Sequence, residues 1–546
     1  MDLNIAEMCR ALAEAYPERE CLISAGRTFT WAQTDVRTDA LASVLDAVAP
    51  GRIRPFAGSK GWESTQEHVA LYLHNGNEYL EGMLGAYKAA WAPVNINYRY
   101  RAAELAYVLN DSRAKAVVYH SRFAPLLDEV RTQLPELTLF LQVADGSDEG
   151  LLEGALWYED ALAVAAPLRT IELSGDDLYI CYTGGTTGMP KGVLWRQADF
   201  VVSALGVRQR NGSDIESLAE LVAAAERCSL RALPAPPLMH GAAHWNALSC
   251  WIAGGTIIIQ DQVEHFDAAD IWSTIERHGA TSVLIVGDSF ARPLLAELAA
   301  NRYDVSSLRY VLSGGAVLSP HMKQALLDAL PGITIVDVLG SSESGRQGVA
   351  NTRAENAEAP GGFRTESSAS IVSEDLDRVL TPNPDGDNEI GWLTQTGRVP
   401  LGYLGDEAKT ARTFPVIDGV RHVVAGDRAR YRADGSLELL GRDSVCINTG
   451  GEKVFAEEVE VALTSHVDVA DAIVCGRDSE RWGQEIVAVV ATAPDATASD
   501  EDLIAHVKER LAGYKAPKAI IRVDSVVRSP SGKPDYGWAR GVAASA

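Results

Sequence analysis

Between Tyr182 and Val193 the chain reads Tyr-Thr-Gly-Gly-Thr-Thr-Gly-Met-Pro-Lys-Gly-Val, following an apolar, strand-like run (Leu178, Ile180, Tyr182). Glycines, hydroxyls and one lysine are what a backbone needs to approach phosphates. Glycine permits close passage and positive φ. Backbone N–H groups and Thr hydroxyls donate to phosphate oxygens, and lysine adds a mobile point charge. The loop is not a Walker loop, which needs Gly-Lys followed by Ser or Thr. Here Pro190 precedes Lys191 and Gly192 follows it. The competing reading is an ordinary Gly/Thr-rich turn.

Three later motifs weigh against that turn. Asp337-Val338-Leu339-Gly340-Ser341-Ser342-Glu343 ends in a carboxylate suited to Mg²⁺. Gly426-Asp427 and Gly441-Arg442 supply an acceptor for vicinal hydroxyls and a forked donor. Ser531-Gly532-Lys533 places a flexible cation near the end of the sequence. Each alone is more often a loop or a surface turn. In this order, they and the first loop resemble the signatures of the acyl-adenylate-forming superfamily: acyl-CoA synthetases, peptide-synthetase adenylation domains and luciferases.

The resemblance implies that a carboxylate attacks the α-phosphate of ATP and that a coenzyme A thiol then takes the acyl group. It implies an ATP site made of Thr183, Gly184, Gly185, Thr186, Thr187, Gly188, Lys191, Gly315, Ala316, Asp337, Val338, Gly340, Ser341, Ser342, Asp427, Arg442 and Lys533. Glu343 and Thr186 would hold Mg²⁺, and Lys533, Glu343, Thr186 and His240 would be catalytic. The acyl pocket would take His240, Gly241, Gly287, Asp288, Gly314 and Gly340, and the CoA channel Gly450, Gly451 and Glu452. The sequence departs from the family pattern at three places. Leu339 replaces the usual aromatic, Ser342 the usual Thr, and Ser444 stands where a hinge Asp or Lys is usual.

Four stretches look most like actinobacterial ligases that activate steroid side-chain carboxylates. They are Ile447 to Phe455, Arg528 to Tyr536, Gly287 to Pro293 and Val193 to Arg196. Small residues at the presumed pocket would leave room for a bulky acyl group, although they serve close packing equally well. A fatty- or aryl-acid ligase on the same scaffold stays open. So do a ligase that loads a carrier-protein thiol, which the lack of a carrier domain after Lys533 disfavours, and a non-catalytic nucleotide-binding protein.

The elements that must position these residues are legible in outline. Val69 to Leu73, Ala116 to Tyr119, Leu178 to Tyr182, Thr256 to Gln260, Ser282 to Val286 and Tyr310 to Ser313 read as strands, and Glu78 to Ala90 as a helix. Strands alternating with helices predict an α/β fold with βαβ units and parallel sheets. Ser213 to Arg227 reads as an inserted helix. From about residue 350 to 441, short strands and Pro/Gly/Asp turns suggest a small β-barrel-like subdomain. The predicted division is an N-terminal domain over 1–441, a hinge at 442–445 and a mobile C-terminal α+β domain over 446–546.

Composition narrows the partners. Hydrophobic content of 47% and charged content of 23% are those of a globular protein. The net charge of −25 disfavours nucleic acid and anionic membrane. Seven scattered cysteines without a C-x-x-C pair suggest reduced thiols. No signal peptide or membrane-length apolar run is seen. The expectation is a cytoplasmic enzyme, assembled as a monomer or homodimer, whose partners are a small carboxylate, ATP and CoA.

Overall fold

The computed structural model describes residues 3–183, 189–209, 212–356, 363–365, 368–385, 388–449, 452–479, 481–529 and 532–546. Two large sheets dominate. One has eight strands, in the order Gly402–Tyr403, Lys191–Arg196, Leu178–Thr183, Ala92–Asn95, His68–Tyr72, Ala114–His120, Leu139–Val143, Leu156–Trp157. The other has nine, and its parallel centre runs Thr334–Ser341, Tyr310–Gly314, Ser282–Ile285, Arg231–Pro234, Thr256–Ile258, Glu20–Ser24. Strands such as His68–Tyr72 and Ser282–Ile285 are buried at every position. That is how a parallel strand covered on both faces should read.

Parallel pairing has a consequence for function. In open α/β sheets, ligands bind beyond the carboxyl ends of the strands. Thr183, the Pro236–His240 turn, Gly287, Gly315 and Ser341–Glu343 all lie at or just after such ends. The fold thus gathers residues that are far apart in sequence.

The first sheet departs from strict βαβ order where it matters. Leu178–Thr183 is followed directly by the antiparallel strand Lys191–Arg196, with Thr183 opposite Lys191. The phosphate-loop motif is therefore a hairpin connection, not a strand-to-helix turn. Residues 184–188 of that motif lie outside the described residues. Gly192 is required by the packing beside it, since a methyl group there would lie 2.6 Å from the Tyr182 ring.

A five-stranded antiparallel sheet follows: Ala369–Val372, Gly391–Thr396, Val420–Tyr431 and Val416–Ile417 in order, with Leu437–Arg442 also paired to Val420–Tyr431. It begins later than residue 350, because Gly345–Thr352 and Arg364–Thr365 extend the edge of the nine-stranded sheet. The last unit is a five-stranded sheet (Cys446–Thr449, Glu452–Phe455, Val469–Ser479, Gly483–Thr492, Ala519–Val523) carrying helices Ala456–Thr464, Asp500–Arg510 and Tyr536–Ser545.

The expected helix over Ser213 to Arg227 is shorter, Leu218–Ala225. Ser217 caps it by accepting from the Glu220 N–H, and Asp214 pairs with Arg398 instead. No helix among the described residues is long and apolar enough to cross a membrane.

Candidate active site

Glu343 sits in the turn between Thr334–Ser341 and Gly345–Thr352. Hydroxyls tie that turn together: Ser341 and Ser344 are 3.0 Å apart, and the Ser341 N–H donates to Ser344 Oγ. Gly340 has no alternative, since a methyl there would be 2.1 Å from the Gly345 carbonyl. The Tyr403 hydroxyl donates to Glu343 Oε1 at 2.9 Å. Fully buried Trp195 donates its indole N–H to Ser342 O at 2.9 Å. That bond fastens the second strand of the phosphate hairpin to the Glu343 turn.

Asp427 and Arg442 face each other across paired strands, with Nε 3.2 Å from Oδ1. Asp427 is buried and Arg442 half-exposed, so the pair can accept from hydroxyls on one side and donate on the other.

Lys533 is carried by a tight turn. The Gly532 N–H donates to Ser529 O, the Lys533 N–H to Ser529 Oγ and the Ser529 N–H to Lys533 O. Gly532 has φ +72, and a methyl on it would lie 2.3 Å from Ser289 Oγ. The turn therefore docks on the start of helix Gly287–Ala300. The Lys533 side chain crosses the Gly315 backbone: a methyl on Gly315 would lie 3.9 Å from its Cε. The side chain is open to the cleft. Desolvation by the surrounding protein and the charge of Arg442 lower its pKa, while Glu343 and Asp427 raise it.

His240 caps helix Gly241–Ile252. Its Nε2 is buried without a partner among the described residues. Burial, with Lys533, His244 and Arg99 nearby, pushes its pKa down to about 3. The ring is therefore neutral at working pH, and one buried nitrogen waits for a partner from a ligand or from water. Beneath it lies a closed chain of bonds. The His244 ring bonds Leu238 O and the Tyr179 hydroxyl, and Trp245 Nε1 donates to that same hydroxyl. This chain fixes the Leu238–Gly241 turn.

Gly241 and Gly314 leave open space, with nothing closer than 3.6 Å to a methyl at either. Gly287 (φ +53) is tight, with Val317 O only 2.3 Å from a modelling methyl, and Ala316 beside it. Two predicted site residues turn their side chains elsewhere. Asp288 accepts from the Ser319 N–H and hydroxyl. Buried Asp337 pairs with Lys323 at 2.6 Å. These positions and Val338 offer backbone to a ligand. Leu339 packs with the antiparallel sheet.

Glu452 is exposed at the start of its strand, and neighbouring Lys453 pairs with Glu374 at 2.7 Å. Gly450 and Gly451 lie outside the described residues, as do Gly184 to Gly188 with Thr186.

Three neighbours of the site escaped the sequence reading: Tyr403, Asp111 and Glu457. Glu457, in the first turn of helix Ala456–Thr464, accepts from the Arg442 N–H at 3.4 Å. Burial pushes its carboxyl up to about 7. Gly441 (φ +135) lies against it, and a methyl there would be 2.4 Å from Oε2. Gly441→Ala is expected to cost about 1–3 kcal/mol of strain, read as a lower urea midpoint. Gly541→Ala, with open space at its Cα, is the control. An unchanged midpoint for Gly441→Ala would remove this constraint.

Among the described residues no group of three or more His, Cys, Asp and Glu forms a metal cage. Mg²⁺ needs none, because it binds through one or two carboxylates plus substrate phosphates. Glu343 beside the phosphate hairpin fits that donor set.

Comparison with known proteins agrees with this geometry. Residues 9–391 match the AMP-binding enzyme family, and residues 458–533 match the AMP-binding enzyme C-terminal domain. The chain is 48% identical to the medium-chain acyl-CoA ligase Mig of Mycobacterium avium, over 98% of both chains. It is 37% identical to a 3-oxocholest-4-en-26-oate–CoA ligase of Rhodococcus rhodochrous, over 99% of this chain and 96% of the other. The fold matches the crystal structure of the anthranilate CoA ligase AuaEII in complex with anthranoyl-AMP, with TM-score 0.81, 22% identity, and 99% and 97% of the two chains covered. With both family regions matched and the cation, carboxylate and ribose-type pairs gathered at the strand ends, the chain belongs to the AMP-binding enzyme family and is an AMP-forming acid–thiol ligase.

Proposed function

We propose that this ATP-dependent acyl-CoA ligase acts on a steroid side-chain carboxylate. In the first half-reaction a carboxylate oxygen attacks the α-phosphorus of ATP, and the bond to pyrophosphate breaks. In the second, the CoA thiolate attacks the acyl carbonyl, and AMP leaves. Lys533 meets the carboxylate and α-phosphate, Asp427 and Arg442 hold the ribose, and Lys191 meets the outer phosphates. Mg²⁺ on Glu343, with Thr186 as second ligand, neutralises phosphate charge. Neutral His240 presents its free ring nitrogen at the acyl end.

The observation that carries the reading is the position of Lys533: a lysine from the last sheet's unit set among Gly315, Glu343, Arg442 and Asp427. The second half-reaction needs the C-terminal unit to turn about 442–445, so that Gly450, Gly451 and Glu452 reach the acyl-adenylate. The same proposal divides the chain into 1–441 and 446–546, and makes the enzyme cytoplasmic and homodimeric; light scattering reads the assembly.

Similarity to the 3-oxocholest-4-en-26-oate ligase and the open backbone at Gly241 and Gly314 support the steroid acid. A second reading, a medium-chain fatty acid, is favoured by the higher identity to Mig. Carboxylate-dependent ATP–pyrophosphate exchange and thioester formation across steroid, fatty and aryl acids decide between them. The highest kcat/KM is expected with steroid side-chain acids. Turnover confined to fatty acids overturns the substrate and keeps the reaction.

A further inference from the structure

Asp111 is the last residue of helix Ala102–Asp111. A carboxylate is misplaced there, because the helix macrodipole leaves the C-terminus negative. Local rules broken in this way concentrate at functional sites. Three groups converge on this carboxylate. The Tyr182 hydroxyl donates to Oδ2 at 2.7 Å and the Tyr107 hydroxyl to Oδ1 at 3.2 Å. The Lys191 ammonium lies 3.3 Å from Oδ1 and 5.7 Å from the Tyr107 ring centre. Tyr182 precedes the phosphate-loop glycines, and Lys191 follows them on the opposite strand. Asp111 thus ties both ends of the hairpin from outside it.

We propose that Asp111 is a positioning residue that aims Lys191 at the outer phosphates of ATP. The inference rests on the proposed role of the hairpin in holding ATP. Two phenols fix the carboxylate from its own helix and from the strand. Lys191 leans on it through the longest of the three contacts. A free lysine side chain samples many rotamers, and ordering it on binding is costly. Asp111 and the Tyr107 ring restrict that sampling beforehand. Asp111 engages one of three ammonium hydrogens and leaves the others for phosphate. Both side chains are partly exposed, 25% for Lys191 and 18% for Asp111, so the lysine can still swing toward a ligand. The fully buried Trp195 behind the hairpin keeps the strand itself from moving.

The test is Asp111→Asn, which keeps shape and the phenol contacts and removes the charge. The KM for ATP is expected to rise about tenfold, the size of one ordered lysine side chain. The KM for the acid should stay unchanged, as should thioester formation from supplied acyl-adenylate, because neither involves the outer phosphates. In a Lys191→Ala background, Asp111→Asn should add nothing, since paired residues are not additive. Tyr107→Phe, which frees the carboxylate and keeps its charge, should raise the KM for ATP by a smaller factor, and it carries the test if Asp111→Asn does not fold. An unchanged KM for ATP, an equal rise in the acid KM, or full additivity with Lys191→Ala overturns the proposal. A wild-type enzyme without ATP–pyrophosphate exchange on any acid overturns the functional reading instead.

Discussion

Lys533→Ala is expected to lower acyl-adenylate formation by roughly 10²–10³-fold, the usual loss when one group stabilising developing charge is removed. Thioester formation from supplied acyl-adenylate should survive. The reason is positional. Lys533 reaches the site only because its turn docks on helix Gly287–Ala300 through Gly532, and its side chain then passes over Gly315. When the C-terminal unit rotates for the second half-reaction, that cation leaves. Single-turnover measurements of each half-reaction separate the two, and equal losses in both would sink the assignment.

The pH dependence gives an independent reading of the same residue. The active form of Lys533 is the cation. Desolvation and Arg442 hold its pKa below the ordinary lysine value of 10.5. Adenylation should therefore fall as pH rises through a value below 10.5, seen in kcat/KM, which reports the free enzyme. His240 contributes no inflection between pH 5 and 9, because its ring titrates at about 3. Loss of the alkaline limb in the residual activity of Lys533→Ala is the expected signature. A limb that persists belongs to another group.

Glu343→Gln is expected to raise the Mg²⁺ concentration needed for adenylation, and to lower the rate about 10²-fold at fixed Mg²⁺. The substitution is nearly isosteric, and Gln still accepts from the Tyr403 hydroxyl that holds Glu343 at 2.9 Å. The turn built by Ser341 and Ser344 does not depend on the charge. The effect is therefore on charge and not on shape. A second consequence follows from the field inside the cleft. Glu343 raises the Lys533 pKa, so its neutralisation should move the alkaline limb to still lower pH. Tyr403→Phe leaves the carboxylate charged but loosely held, and should cost less. Mg²⁺ titration of the pyrophosphate-exchange rate measures all three, and a Glu343→Gln enzyme with wild-type Mg²⁺ dependence removes the metal role.

The chemistry-bearing residues were legible because their types are constrained locally. Only glycine lets strand Lys191–Arg196 start against the Tyr182 ring or lets Gly340 pass the Gly345 carbonyl. The paired Asp427 and Arg442 likewise carry their roles in their side-chain types. The buried parallel strands were legible for the same reason, being short, continuously apolar runs. The N-terminal elements, helices Ile5–Ala15 and Trp31–Val48 and strand Glu20–Ser24, gave no motif. Yet Glu20–Ser24 pairs with Thr256–Ile258 inside the nine-stranded sheet, more than 230 residues away. Such pairing is decided by non-local burial, which local pattern does not encode.

By itself, then, the sequence determined the family, the order of the motifs and the nature of each group: a phosphate loop, a metal carboxylate, a ribose pair, a late lysine. Tertiary structure alone decided which of them meet and what supports them. It turned Asp337 toward Lys323 and Asp288 toward Ser319, and brought Tyr403 to Glu343, Asp111 to Lys191 and Glu457 to Arg442. A supporting Tyr, Asp or Glu has no distinctive spacing, because its partner lies across a sheet or in another unit. Its role exists only once hydrophobic burial has fixed where the strands end.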